Sequence, residues 1–382
     1  MRLGCLFLIL VLFSGCAALP REYPAPSPLV YEQVSLDGYH NIRYWGDKPA
    51  PYLHDSTERL RRALDTIPSL NQRIDILALS GGAEDGAYGA GFLKGWTESG
   101  SRPEFLMVTG VSTGALIAPF AFLGPEYDDT IQEFYTETST ADILLFTPLA
   151  ALFGGESIAD SAPLRRAIKK AINEELVEAI ARESRKGRIL QVATTNLDAQ
   201  RPMIWEINRI AESDHPNKVE LIRKIILASA SVPGVFPPVK INVQYRGQLH
   251  QEVHVDGGVT QQIFVYPRDL DISRFRRLLK TQPESNFWLI RNTKIAPDYS
   301  EVELDVSGLS NRAISTLIKY QAKGNLINIE TLAKRDGFNM HVTDVPVEFD
   351  EPLEDMFDKN YMRALFKVGY ERGKRKAWRT GL

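Results

Sequence analysis

Cysteine is nearly missing from this chain of 382 residues: there are two, Cys5 and Cys16, both within the first sixteen positions. A disulfide framework is therefore not what holds the body together. His, Cys and carboxylate residues nowhere fall at metal-ligand spacing, so no metal is expected. Neither sign of charge is in excess: 45 Lys+Arg against 48 Asp+Glu leave −3. There is no basic stripe before the extreme C-terminus, which argues against a nucleic-acid footprint. Gly81, Gly82, Gly86, Gly89 and Gly91 do not give G-x-G-x-x-G in frame, and no Gly precedes Lys-Ser or Lys-Thr. Dinucleotide and P-loop chemistry are thereby excluded, and no cofactor is expected.

What is present begins with a targeting segment. Arg2 and the apolar run Leu3 to Phe13 have the form of a signal, and the run is too short to span a bilayer comfortably. Phe13-Ser14-Gly15-Cys16 resembles a bacterial lipobox. The resemblance implies removal of residues 1–15 and lipid attachment to Cys16, so that the membrane is a partner. An ordinary secretory signal with a chance Cys is the alternative. Ala17, with no Asp after the cysteine, resembles lipoproteins sent to the outer membrane, facing the periplasm. Pro20, Pro24, Pro26 and Pro28 make residues 16–28 read as an extended tether. An N-terminal extension, residues 29–73, follows.

The body is 44% apolar and 24% charged, ordinary for a globular protein with ample core. It is organised around two glycine-rich turns, Gly81-Gly82-Ala83-Glu84-Asp85-Gly86 and Gly110-Val111-Ser112-Thr113-Gly114. Each follows an apolar, strand-like run and leads into a small-residue, helix-like stretch. Strand, tight turn, helix, twice over, is the local grammar of a parallel α/β sheet. The second turn is a G-x-S-x-G elbow, which displays a Ser hydroxyl at the head of a helix. The first offers backbone N–H groups where a second strand ends. A nucleophile beside such donors is what acyl transfer needs.

Further along, Asp55 to Ile67 is expected to be a helix capped by Ser56, Tyr127 to Glu137 a helix, and Ala162 to Ser184 one long amphipathic helix. Arg188 to Asn196 and Pro202 to Ile207 read as a strand hairpin. The apolar segment Ala141 to Ala159 is expected to pack in the core; a mobile cover over an acyl pocket is the alternative. Val253 to Val255 is a short strand that ends in Asp256-Gly257-Gly258, and a parallel neighbour would bring Asp256 to the same crevice as Ser112. Phe287 to Asn292 reads as a core strand and Met340 to Val347 as an edge strand. Ile314, Leu317, Ile318, Leu326, Ile329 and Leu332 trace an apolar face on a helix from Asn311 to Arg335. Tyr361 to Trp378 is a basic amphipathic helix whose charges are expected to be solvated; anionic headgroups are the alternative.

Four pieces in this order resemble the patatin-like phospholipase family: the turn Gly81 to Gly86, the elbow Gly110 to Gly114, the stretch Ala228 to Pro238, and Asp256-Gly257-Gly258. The resemblance covers about 74–268, and implies that 269–382 completes the same fold. It implies a three-layer α/β sandwich: a mostly parallel central sheet with helices on both faces. It further implies a lipid acyl hydrolase working on a lipid or acyl-ester substrate, with Ser112 as nucleophile, Asp256 as base and no triad histidine. Gly82 and Ala83 would be the oxyanion donors, supported by Gly81, Gly86, Gly110, Gly114, Gly257 and Gly258. The chain departs from the family at Ala83, usually a glycine, and at Asp85, usually a cation. Asp85 puts phospholipid in doubt as the substrate. Two other readings stay open: a Ser112–Asp256–His341 triad hydrolase, with His254 as a structural neighbour of Asp256, and a lipid-binding or interaction lipoprotein.

Overall fold

The computed structural model describes residues 21–147, 155–270, 272–277, 279 and 281–382. The signal, Cys5, Cys16 and residues 148–154 of the expected core segment lie outside the described residues. Among the described residues a ten-stranded sheet runs through the molecule. Its strands are β1 (Arg43–Trp45), β2 (Arg73–Leu79), β3 (Met107–Val111), β4 (Ile189–Asn196), β5 (Arg201–Glu206), β6 (Val239–Tyr245), β7 (Gln248–Asp256), β8 (Glu284–Arg291), β9 (Asn339–Asp344) and β10 (Arg379–Thr380). The order is β1-β5-β4-β3-β2-β8-β9-β10, with β7 paired to both β4 and β6. The five strands from β4 to β9 are mutually parallel, and every pairing outside that run is antiparallel.

The parallel strands are nearly unbroken apolar runs because both of their faces are covered. Leu77, Leu79, Val108, Trp288 and Ile290 point to one face. There they meet α2 (Gly86–Glu98), α3 (Thr113–Leu123), α4 (Asp128–Glu137), α6 (Glu174–Arg185), α7 (Lys218–Ser229) and α9 (Lys359–Lys374). The alternate residues Ile76, Ala78, Met107, Phe287 and Leu289 face the other way, onto Leu326, Ile329 and Leu332 of α8 (Val306–Asp336). Period-2 alternation against helices on each side gives three layers.

Several elements differ from expectation. The helix α1 (Leu53–Thr66) starts before Ser56, with Tyr52 at the N-cap position, so Ser56 falls inside it. The long helix expected from Ala162 is two helices, α5 (Ala162–Ala171) and α6. Asn173 breaks it: its side chain accepts the Leu176 N–H and so starts a new helix. The apolar segment after Ala141 divides. Ile143, Leu144 and Ala159 are buried, whereas Leu145, Phe146 and Ile158 are exposed; Leu145 and Phe146 form one strand of a two-stranded ribbon with Ala159 and Asp160. The strand at Met340 is not an edge, because β10 pairs outside it. On α8 the expected apolar face is buried only from Ala322 onward; Ile314, Leu317 and Ile318 are exposed. The proline-rich stretch touches the body: the Pro24 carbonyl accepts the Gln251 N–H, and Arg21 pairs with Asp198. On α9, Arg372 bonds the Tyr88 hydroxyl and Arg363 bonds Glu137, while Lys367 and Lys374 face solvent.

Candidate active site

The central correction concerns the strand that carries Asp256. It is antiparallel to its neighbour, not parallel, and it reaches the crevice by a different route. On one edge β4 pairs β5 over residues 191–196. On its other edge, residues 189–193 pair with β3 and residues 194–196 with β7. The strands β3 and β7 therefore share one edge of β4 and run toward each other tip to tip. Ser112 follows the last residue of one, and Asp256 is the last residue of the other.

Ser112 itself holds the sharp turn, with φ +54° and ψ −123°. A non-glycine residue there costs on the order of 1–3 kcal/mol and persists where its surroundings fix it. The Ser112 N–H donates to the Ser229 hydroxyl at 3.0 Å, and that hydroxyl donates to the Ala193 carbonyl at 2.7 Å. The elbow is thus tied to the end of α7 and to β4. Its side chain stands at the N-terminus of α3, where the helix dipole favours negative charge. The motif glycines serve closeness more than unusual dihedrals. A Cβ on Gly114 would lie 2.4 Å from the Leu79 carbonyl, on Gly110 2.4 Å from the Gly114 carbonyl, and on Gly86 2.2 Å from the Thr113 hydroxyl. One on Gly257 would lie 2.5 Å from the Ala193 carbonyl, and one on Gly258 2.7 Å from Gln262 Nε2.

The first glycine turn abuts the elbow: a Cβ on Gly81 would lie 3.2 Å from that of Ser112. The Gly81 N–H donates to the Gln262 carbonyl at 3.1 Å. Among the described residues, the N–H groups of Gly82 and Ala83 meet no acceptor. Ala83 keeps a glycine-like conformation, φ +47°, despite its Cβ. Asp256 is buried, its N–H donates to the Ser231 carbonyl at 2.9 Å, and its Oδ1 accepts the Gly258 N–H at 2.7 Å. Its Oδ2 has no hydrogen-bond partner among the described residues. Burial pushes the Asp256 carboxyl up to about 6, while the nearby Ser112 hydroxyl and the Gly258 N–H pull the other way.

Ser112 and Ala83 open onto a cavity of about 170 Å³ whose walls include Leu116, Phe134, Ile143 and Phe236. Glu84 lines it; Asp85 does not. Asp85 instead accepts the Tyr361 hydroxyl at 2.6 Å, and burial raises its carboxyl to about 7. The carboxylate expected to repel an anionic substrate is thus turned away from the cavity. That removes the feature on which the binding-lipoprotein reading rested.

The sequence reading missed Ser229, Gln262 and Arg291. Ser229 lies in the Ala228-to-Pro238 stretch, so its neighbourhood was flagged. Nothing in the sequence marks Arg291, at the end of β8. Its buried guanidinium donates to the Ser80 hydroxyl at 3.2 Å, and to the Gly81 carbonyl and Gln262 Oε1 at 3.3 Å each. Burial lowers it to about 10, so it remains charged at neutral pH. It braces the first turn from beneath.

The triad histidine is not assembled. His341 pairs in register with Trp288, which stands level with Leu77 and, one strand on, Val108, well before the strand ends where Ser112 sits. Its ring stacks on Trp288 at 4.0 Å and its Nε2 lies 3.3 Å from Asn286 Oδ1. His254 is fully occupied between the Thr194 hydroxyl, 2.9 Å, and Glu252, 3.0 Å. Among the described residues no three His, Cys or carboxylate side chains gather as a metal site would require.

A parallel α/β sheet with a serine elbow facing a buried carboxylate defines the hydrolase class of α/β proteins. Residues 77–267 match the patatin-like phospholipase family, and the chain belongs to that family. Its lipid acyl hydrolase chemistry is what the family supports. Among solved structures the chain is similar to VipD from Legionella pneumophila, at 13% identity and TM-score 0.33, over 80% of this chain and 67% of that one. It is also similar to the type III effector protein ExoU, at 12% identity and TM-score 0.18, over 79% and 53%. No curated protein sequence matches it.

Proposed function

We propose that the protein is a membrane-anchored serine acyl hydrolase that cleaves carboxylic esters of lipids through a Ser112–Asp256 dyad. The observation that carries this reading is the tip-to-tip meeting of β3 and β7, which sets Ser112 against a buried Asp256 with an unpaired oxygen. Above about pH 6 the carboxylate takes the Ser112 proton as Oγ attacks the ester carbonyl. The carbonyl oxygen becomes an oxyanion, received by the Gly82 and Ala83 N–H groups, each worth about 2.7–4 kcal/mol in the transition state. Collapse breaks the ester C–O bond, and Asp256 returns the proton to the leaving alcohol. Water, deprotonated by the same carboxylate, then releases the acid and restores Ser112. The apolar cavity suits an acyl chain. Lipid on Cys16 would hold the site at the inner leaflet of the outer membrane.

The test is hydrolysis of a panel running from short-chain esters through monoacyl lipids to diacyl phospholipids, beside Ser112→Ala. Activity on at least one rung, lost in the variant, is expected. A folded protein inert on every rung would overturn the reading.

A further inference from the structure

The first half of α8 is anomalous for a helix of a folded domain. From Ala322 onward it buries Ala322, Leu326, Ile329, Leu332 and Ala333 against the sheet. Before that point the half-buried Arg312 and Lys319 donate to the Asp298 and Ala296 carbonyls, yet the helix carries Val306, Leu309, Leu317 and Tyr320 at 84%, 50%, 71% and 65% exposure. With Ala313 and Ile327, also exposed, these residues recur every three or four positions up to Tyr320 and once more a further seven on. At about 100° per residue they fall within an arc of roughly 80°. That arc lies opposite the buried residues. The stripe is therefore turned away from the protein's own core by the packing of the second half.

Charge says what the stripe fits. Residues 306–329 contain Arg312, Lys319 and Lys323 and no Asp or Glu. The three cations lie along one flank of the stripe, within roughly 40–80° of its nearer edge. A second copy of this stretch would bring cations to cations, with no acid between residues 306 and 329 of either copy to pair them. An anionic lipid surface answers both features, taking the apolar side chains among its acyl chains and the cations at its headgroups. No helix among the described residues is long and apolar enough to cross a membrane, so this one would lie along the surface.

The helix is also joined to the site. Gln321 Nε2 donates to the Val259 carbonyl at 3.0 Å, and Asn325 Oδ1 accepts the Gln262 N–H at 2.7 Å. Both partners belong to the turn that follows Asp256. We infer that Val306 to Ile327 is a docking surface for an anionic bilayer, seating the protein through a helix bonded to its Asp256 turn. The docking stands on the helix alone; its effect on turnover rests on the hydrolase reading.

The experiment uses the full chain with Cys5→Ser and Cys16→Ser, so that Leu317→Cys is its only thiol and takes an environment-sensitive fluorophore. Ser315→Cys, on the face turned back toward the domain, is the control. Vesicles of equal parts phosphatidylcholine and phosphatidylglycerol are expected to shift the Leu317 label to the blue and leave the Ser315 label unmoved. Raised salt should reverse the shift, since exposed charge is screened. No shift, equal shifts at both positions, or a Leu317 shift that follows protein concentration without vesicles would each overturn the proposal, the last in favour of a second copy. In the second arm Leu309→Glu/Leu317→Glu is expected to lower hydrolysis of a vesicle-borne ester at least tenfold and leave a water-soluble ester unchanged. Equal rates on vesicles would overturn it. Inactivity of the parent on both esters would instead count against the hydrolase reading, leaving the fluorescence arm to decide docking.

Discussion

At Asp256 the proposed activity and stability pull in opposite directions. Its carboxyl is protonated more readily in the folded chain, about 6, than in the unfolded chain, about 3.9. The native state therefore holds a proton that the unfolded state has released between those values, and stability falls as pH rises through them. Turnover by the proposed dyad would need the ionised form, so kcat is expected to rise through about pH 6 and level off above it, which a pH–rate profile checks. Asp256→Asn should lower kcat by about 10²–10⁴-fold while raising stability by about 2–3 kcal/mol at pH 8. The gain should vanish below about pH 4, as urea unfolding at both pH values would show. Arg291 acts at one remove, through the Ser80 hydroxyl and the Gly81 carbonyl. Arg291→Met should cost about 10²-fold in kcat with KM little changed, because a donor misplaced by about 1 Å is enough to do so. Arg291→Lys should recover only part: one nitrogen of the planar guanidinium makes all three bonds, and the ammonium of a differently shaped side chain does not sit in the same place. A KM change with kcat intact would remove Arg291 from this role.

At the scale of elements, the sequence showed what local chemistry writes and missed what assembly decides. The two glycine turns, the elbow serine, the β4–β5 hairpin and the Asp256 turn were legible because each is a short pattern with a local cause. The direction of β7 was not, because pairing partners are set by sequence-distant strands. Arg291 was invisible for the same reason: its partners, Ser80 and Gly81, lie about two hundred positions earlier. The glycines of α2 and α9 belong to this group. They look like weak helix formers, yet Gly91 and Gly95 face Gly369 and Gly373 across the two helices. A Cβ on Gly91 would lie 2.0 Å from the Phe366 carbonyl, and on Gly369 2.1 Å from that of Tyr88. Backbone carbonyls cannot swing aside, so Gly91→Ala and Gly369→Ala should each destabilise by about 1–3 kcal/mol. Gly324 on α8 has open space where its Cβ would be. Gly324→Ala should stabilise by about 0.5–1 kcal/mol through helix propensity alone. Thermal unfolding of the three variants should therefore move in opposite directions; a stabilised Gly91→Ala would mean that the helices are not in contact.

The molecule as a whole carries more buried carboxyls than the proposed dyad needs, and their sum sets a pH dependence that no single site shows. Burial raises Asp75, Glu84, Asp85, Glu206 and Asp256, with Asp85 at about 7 and Asp256 at about 6. Each binds its proton more tightly folded than unfolded, so together they make stability fall as pH climbs from about 4 to about 7. Other groups work the other way. Burial opposes the charge on Glu252, but Arg43 beside it and the bond to His254 hold it down to about 2. Glu212 is lowered by the Ser184 hydroxyl and Arg59 against its own burial. Their stabilisation is present above about 4.3 and is lost as pH falls toward 2. Between the two sets, stability should be greatest at about pH 4, well below neutral, and on the acid side of the range in which the proposed dyad would be active. Urea midpoints across the pH range would locate the maximum. Asp85→Asn/Asp256→Asn should flatten its alkaline side, leaving the slope that belongs to Asp75, Glu84 and Glu206. A maximum at pH 8 or above in the parent would mean that these carboxyls are solvated, and that Asp256 is too weak a base for the dyad to work as drawn.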